Sequence, residues 1–150
     1  MNGRYGSGDR KRSTGVTRRR PRVLIIDDDE RLRDVLSLVL ADDCEVTLAA
    51  SGSEALELLA GESCFDVIVS DLSMPEMGGA QIHAVLSEED PEMAARMVIV
   101  TGGAYSAASE EFLSRSGCPQ VGKPFTPNEL MGAIHEILLR RGPCPLRRAG

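Results

Sequence analysis

Four short apolar segments, each followed directly by polar side chains, constrain the fold of this chain most strongly. They are residues 23–26 before Asp27, Asp28 and Asp29, residues 67–69 before Asp71, residues 97–100 before Thr101, and residues 119–122 before Lys123. Continuous apolar runs of this kind are typical of parallel strands covered on both faces. Because the carboxyl ends of parallel strands share one edge of a sheet, we expect all these polar groups to meet at that edge.

Helical patterns separate the strands. The predicted helices cover about 30–41, the residues after Ser51, 79–86, 106–116 and the residues after Thr126, with a further strand at 45–50. Ser51 with Glu54 and Thr126 with Glu129 have the spacing of capping boxes. The alternation of strands and helices, with right-handed crossovers, predicts a doubly wound α/β sheet.

The polar groups at the predicted edge suit one kind of chemistry. An acidic cluster, a single carboxylate, a hydroxyl and a lysine are what a metal-assisted phosphoryl acceptor requires. Helix capping alone explains one or two of the first three acids, but not a matching acid at Asp71.

The ordered set resembles a known family. Asp27-Asp28, Asp71 followed by Met74-Pro75, Thr101, and Lys123-Pro124-Phe125 are similar to the motifs of the receiver domain of bacterial two-component response regulators, over residues 22 to 140. The resemblance implies a (βα)5 flavodoxin-like three-layer sandwich with the strand order 2-1-3-4-5. Within this family, the sequence is most similar to single-domain receivers and to receivers attached to hybrid kinases.

The resemblance also implies a role for each acid. Asp71 is expected to be the phosphoacceptor. Asp28, Asp71 and the main-chain carbonyl of Ser73 are expected to hold Mg²⁺, with Mn²⁺ as an alternative, and Asp27 is expected to reach the ion through water.

Three further positions complete the expected site. Lys123 would pair with the transferred phosphoryl oxygens, and the Thr101 hydroxyl would donate to one of them. Most receivers carry Tyr or Phe three residues before the lysine as a switch, but here that position is Gln120. We therefore expect phosphorylation to change the face formed by the last two long helices and the strand between them little, or differently.

The resemblance implies a signalling role without turnover of an external substrate. The expected partners are a sensor histidine kinase or histidine phosphotransfer protein and an unknown downstream protein. Two alternatives stay open: a phosphorylation-independent interaction module, or the C-terminal receiver piece of a hybrid histidine kinase. A phosphohydrolase ranks last, because position 73 is Ser instead of a second acid.

Composition and charge define the expected boundaries. Residues 1–21 read as a disordered basic tail, 22–141 as the receiver domain, and 142–150 as a short C-terminal tail, with no DNA-binding domain. The chain carries a net charge of −6, concentrated in an acidic body between basic ends, and it contains no Trp. We expect a monomer or weak dimer without a membrane span. The four cysteines have no close pair, which favours free thiols and a cytoplasmic location.

Overall fold

The computed structural model describes residues 20–61, 64–103 and 106–145 as a five-stranded sheet with six helices. The elements are β1 (Arg22–Ile26), α1 (Glu30–Leu40), β2 (Glu45–Ala49), α2 (Gly52–Ala60), β3 (Val67–Asp71), α3 (Gly79–Glu89), α4 (Pro91–Ala94), β4 (Met97–Thr101), α5 (Ala107–Ser116), β5 (Gln120–Gly122) and α6 (Pro127–Arg141). All strand pairs are parallel in the order β2-β1-β3-β4-β5. The predicted doubly wound fold and its strand order are confirmed.

Alternation along each strand divides the core into two layers. Leu24, Ile68 and Ile99 face the layer under α2, α3 and α5, whereas Ile25 and Val69 face the layer under α1 and α6. Because both faces of the central strands are covered, these strands read as continuous apolar runs in the sequence.

Side-chain caps fix where several helices begin. Asp29 caps α1 by accepting from the amides of Arg31 and Leu32, and at α6 both halves of the predicted capping box of Thr126 and Glu129 are present.

At α2 the Ser51 hydroxyl accepts from the Glu54 amide. The Glu54 carboxylate, however, returns to the amide of Ala50 and not to that of Ser51. The predicted N-cap is therefore confirmed, with only half of the expected box.

Two helical details differ from the sequence prediction. Helix α3 continues to Glu89, three residues beyond the predicted end, and a separate short helix, α4, follows it. Asp90 explains the break: it ends α3, and its side chain accepts from the amide of Met93 to start α4, with Pro91 in the first turn. Proline is compatible with a first turn and not with the interior of a continuing helix.

The expected tails lie mostly outside the described residues, which begin at Arg20 and end at Pro145. Pro21 already extends the pairing of β1 with β2, since its carbonyl accepts from the Glu45 amide at 2.8 Å. Beyond α6, Cys144 is buried and its amide donates to Asp66. The first residues of the expected C-terminal tail therefore pack against the domain.

The expectation of four free thiols is wrong for two of them. Cys64 and Cys144 form a disulfide, whereas Cys44 and Cys118 are free. A separation of 80 residues conceals this pair in the sequence, and only the fold brings the two positions together. Cysteine spacing therefore no longer supports a reducing compartment. In the ranges that the structure describes, no helix is long and apolar enough to cross a membrane.

Candidate phosphoryl-acceptor site

Strand register brings the predicted residues to one edge of the sheet. Ile26 pairs with Ser70, Asp71 with Val100, and Thr101 with Gly122. Asp27, Asp71, Thr101 and Lys123 therefore occupy the carboxyl ends of neighbouring strands, as the sequence pattern predicts.

Asp71 and Lys123 form the centre of this edge. The ammonium of Lys123 lies 3.1 Å from Oδ2 of Asp71. Burial is the largest cause of a raised pKa at Asp71, and together with the charge of Asp27 it outweighs the opposing stabilisation of the carboxylate by Lys123. Burial by itself would lower the pKa of Lys123, but the carboxylates of Asp71 and Asp27 outweigh it and the pKa is raised. The lysine is thus held as a cation beside the carboxylate.

Asp27 shares the same lysine. Its Oδ2 lies 3.3 Å from the Lys123 ammonium, and its Oδ1 accepts from the amide of Asp29 at 2.9 Å. The guanidinium of Arg33 holds the Asp27 carbonyl at 2.8 Å. Asp27 is consequently buried and fixed on both sides, whereas Asp28 is exposed.

The three carboxylates fit a hard divalent cation. One oxygen each from Asp27, Asp28 and Asp71 can be chosen so that all lie within 4.8 Å of one another. Carboxylate oxygens are the ligands that Mg²⁺ and Mn²⁺ prefer, and Mg²⁺ usually keeps several waters beside one or two carboxylates. The exposed Asp28 leaves one side of the cluster open to solvent for such waters.

Close backbone approaches shape the rim of the site. Ser73 is exposed, and its amide donates to Oδ1 of Asp71 at 3.3 Å. At Gly78 a Cβ atom would lie 2.2 Å from the carbonyl oxygen of Leu72, so only glycine allows the loop to fold back on β3. The loop that carries Ser73 is therefore held close to the end of β3.

Thr101 and Lys123 are linked through the backbone. The amide of Lys123 donates to the carbonyl of Thr101 at 2.7 Å, and the Lys123–Pro124 peptide bond is cis. Thr101 is half-buried at the end of β4. The Lys123 side chain passes close to Gly102, where a Cβ atom would be in ordinary van der Waals contact with it at 3.4 Å.

Gln120 does not occupy a buried slot. Its side chain is exposed, and its amide donates to the Leu113 carbonyl of α5 at 3.4 Å. This contact is a polar link between β5 and α5 at the position where the resemblance leads us to expect an aromatic ring.

One known protein family matches most of this chain. The sequence profile described as "Response regulator receiver domain" matches residues 23–135. The chain belongs to this family. It is a receiver domain of two-component systems, as the ordered motifs predicted.

Related proteins place the receiver in different contexts. The chain is 30% identical over 119 residues to the transcriptional regulatory protein SrrA of Staphylococcus aureus, covering 79% of this chain and 48% of that protein. It is 29% identical over 119 residues to hybrid signal transduction histidine kinase A of Dictyostelium discoideum, covering 77% of this chain and 6% of that protein. The chain thus spans about half of one relative and a small part of the other.

Solved structures agree with the fold. A receiver domain protein of Clostridium thermocellum superposes with a TM-score of 0.71 at 26% identity, covering 80% of this chain and 95% of that chain. A CheY-like receiver domain protein of Methanospirillum hungatei gives 0.72 at 29% identity, covering 82% and 97%. These matches extend over nearly the whole of each solved chain.

Sequence reasoning missed two features of the receiver site. It did not predict that Lys123 bridges two carboxylates, or that Arg33 supports Asp27 from the first turns of α1. Arg33 lies in a charged helix and carries no motif, so only its position four residues after Asp29 could have suggested proximity. Asp29 acts as the N-cap of α1, which agrees with the expectation that helix capping explains part of the acidic cluster.

Proposed function

We propose that Asp71 of this receiver accepts a phosphoryl group from a phosphohistidine, and that the phosphorylated domain signals to a protein partner. The observation that carries the proposal is the pairing of one lysine with both Asp71 and Asp27 at an open strand edge. This arrangement lowers the repulsion between a carboxylate nucleophile and an incoming phosphoryl anion.

Each residue has a defined part in the transfer. A carboxylate oxygen of Asp71 attacks phosphorus, the bond from phosphorus to the donor histidine nitrogen breaks, and the imidazole leaves with the electron pair and takes up a proton. Lys123 follows the phosphoryl oxygens, and the Thr101 hydroxyl donates to one of them in the product. Asp28, Asp71 and the Ser73 carbonyl would hold Mg²⁺, or Mn²⁺ in its place, and Asp27 would reach the ion through water. Such an ion, when bound, neutralises charge on the carboxylate and phosphoryl oxygens.

The domain in this proposal turns over only its own phosphoryl group and no external substrate. Its donor is a sensor histidine kinase or a histidine phosphotransfer protein, and its downstream partner is another protein. We place the exchange in the cytoplasm, where the nucleotide that charges such kinases is available. The similarity to a hybrid kinase keeps open the reading that this receiver is attached to one.

A second function is favoured by one observation. Gln120 is exposed and bonded to α5, so the usual aromatic relay to a partner-binding face is absent at this position. An interaction module that works without phosphorylation would tolerate this loss. The intact acids, Thr101 and Lys123 favour the phosphoryl-accepting function over this alternative.

Intact mass after incubation with acetyl phosphate separates these two functions. We expect a phosphate-sized gain that requires Mg²⁺ and is lost in Asp71→Asn. Asp29→Asn is the matched control, because asparagine preserves the cap of α1, and it should gain the same mass. No gain in a folded protein whose amide chemical shifts report Mg²⁺ binding would favour the interaction module.

A further inference from the structure

Cys64 and Cys144 meet at the end of the sheet opposite Asp71. Cys64 precedes β3, and Cys144 follows α6 in the segment between that helix and the end of the described chain. Their Cα atoms are 6.3 Å apart, and both residues are buried. This separation lies within the range that a disulfide spans without moving the backbone.

Polar contacts hold the same segment without the disulfide. The Asp66 carboxylate accepts from the Cys144 amide at 2.6 Å and from the Arg22 amide at 2.7 Å. The buried guanidinium of Arg96 donates to the Gly142 carbonyl at 2.8 Å. These contacts keep the two sulfur atoms near each other whether or not they are bonded.

The surroundings also suit the reduced pair. The carbonyl oxygen of Pro145 lies 3.2 Å from Sγ of Cys64 and 3.6 Å from Sγ of Cys144. It can accept the S–H of either thiol when the disulfide is open. The reduced pair therefore has a hydrogen-bond acceptor within reach of its thiols, and the oxidised pair has its disulfide.

We propose that Cys64 and Cys144 form a reversible redox latch that fixes the segment after α6 to the amino-terminal edge of the sheet. This inference rests on the cytoplasmic location of the proposed function, because disulfides in that compartment are usually transient and respond to redox state. The latch closes when the surrounding thiol pool is oxidised and opens when it is reduced. It lies apart from Asp71 and does not depend on phosphorylation.

The closing step is thiol–disulfide exchange with a small-molecule disulfide of the glutathione class. One cysteine thiolate attacks that disulfide, forms a mixed disulfide and releases one small thiol. The second cysteine thiolate then attacks the protein sulfur of the mixed disulfide and releases the other small thiol. Two protein thiols are oxidised, one external disulfide is reduced to two thiols, and a dithiol reductant reverses the sequence.

Access to the buried sulfur atoms comes from local opening of the segment. Pro143 and Pro145 are exposed on either side of Cys144, and the hydrogen bonds that hold this segment to Arg96 and Asp66 are few. Such segments open at far lower free energy than the core. The exchange therefore proceeds in the folded protein.

Equilibration of the purified chain in glutathione buffers, from fully reduced to fully oxidised, tests the latch. Thiols are then alkylated under denaturing conditions and counted by intact mass. We expect four alkylated cysteines in reduced protein and two in oxidised protein, with Cys64 and Cys144 joined in the peptide map. Cys118→Ser is the control, and it should lose the same two alkylation sites on oxidation.

The melting temperature and amide exchange show whether the disulfide fixes the segment after α6. Closing a loop of this length should raise the melting temperature by on the order of 10 °C, and amide exchange at Cys144 should slow. Cys64→Ser and Cys144→Ser should show neither change, and each should instead carry one glutathione adduct. The latch is contradicted if the pair stays reduced in every buffer, if it stays oxidised in the folded protein under a dithiol reductant, or if Cys44 or Cys118 takes its place.

Discussion

The ammonium of Lys123 lies 3.1 Å from Oδ2 of Asp71, although β4 separates the strand that ends in Asp71 from the strand that Lys123 follows. The lysine stem reaches the carboxylate by passing Gly102, where a Cβ atom would be in contact with it. Because β4 lies between these two positions, the ion pair forms only when β3, β4 and β5 are all in place. The pair puts a cation beside the proposed phosphoacceptor.

Removing this cation should separate phosphoryl transfer from metal binding. We expect Lys123→Met to slow phosphorylation by acetyl phosphate about 10²-fold, because one charge-stabilising donor is lost. Mg²⁺ affinity should rise, since a positive charge near the carboxylates is removed. Rates from intact mass and Mg²⁺ titrations by amide chemical shifts measure the two effects. An unchanged rate would remove Lys123 from the transfer.

Asp28 is expected to matter for metal binding and little for stability. It is exposed, so Asp28→Asn should lower Mg²⁺ affinity about tenfold or more and leave the melting temperature nearly unchanged. Asp29→Asn is the matched neighbour, and it should leave both quantities nearly unchanged because asparagine also caps helices. Equal Mg²⁺ affinities in the two variants would contradict the assignment of Asp28 as a ligand.

Gln120 should limit how far the structural change caused by phosphorylation extends from Asp71. With beryllofluoride as a phosphoryl mimic, we expect large amide shift changes around Asp71 and small ones at Gln120 and along α6. Gln120→Tyr should enlarge the changes on the face formed by α5, β5 and α6, and adding Thr101→Ala should abolish the enlargement. Large shifts across this face in the unaltered chain would overturn the prediction.

Arg96 should stabilise the domain through buried contacts. Its side chain is 1% exposed and donates to the carbonyls of Asp66, Gly142 and Arg141 and to the Glu92 carboxylate. Arg96→Met removes these buried hydrogen bonds and should lower the free energy of unfolding by about 2–4 kcal/mol.

The chain supplies a matched control for Arg96. Arg115 forms the same i,i+4 pair with Glu111, at 3.9 Å, but its side chain is 70% exposed. Arg115→Met should cost less than about 1 kcal/mol. Urea denaturation of both variants measures the difference, and equal costs would mean that the burial of Arg96 contributes nothing.

The sheet and the residues at its carboxyl edge could be predicted because their signals are local. The strands β1, β3 and β4 are apolar runs, and Asp27, Asp71 and Thr101 stand at their ends. Ser51 and Thr126 mark helix starts through their own side chains. Parallel topology then brings these ends together without further information. This local logic explains why the fold and the positions of Asp71 and Lys123 followed from the sequence.

The opposite edge could not be predicted because its contacts join distant residues. Asp66 bonds Cys144 across 78 positions, and the disulfide joins positions 80 apart. Arg96 looks like an ordinary surface arginine in the sequence, since nothing local indicates that α6 ends above it. The break between α3 and α4 was missed for a different reason, because Asp90 acts both as the end of one helix and as the cap of the next.

Locating the phosphoryl group on the chain tests the proposed chemistry most directly. Borohydride reduces an acyl phosphate to an alcohol, so a phosphorylated aspartate becomes homoserine. After treatment with acetyl phosphate and Mg²⁺, then borohydride, peptide mass mapping should find homoserine at position 71 and nowhere else. Homoserine at position 27 or 28 instead, or no conversion in protein that binds Mg²⁺, would contradict Asp71 as the phosphoacceptor.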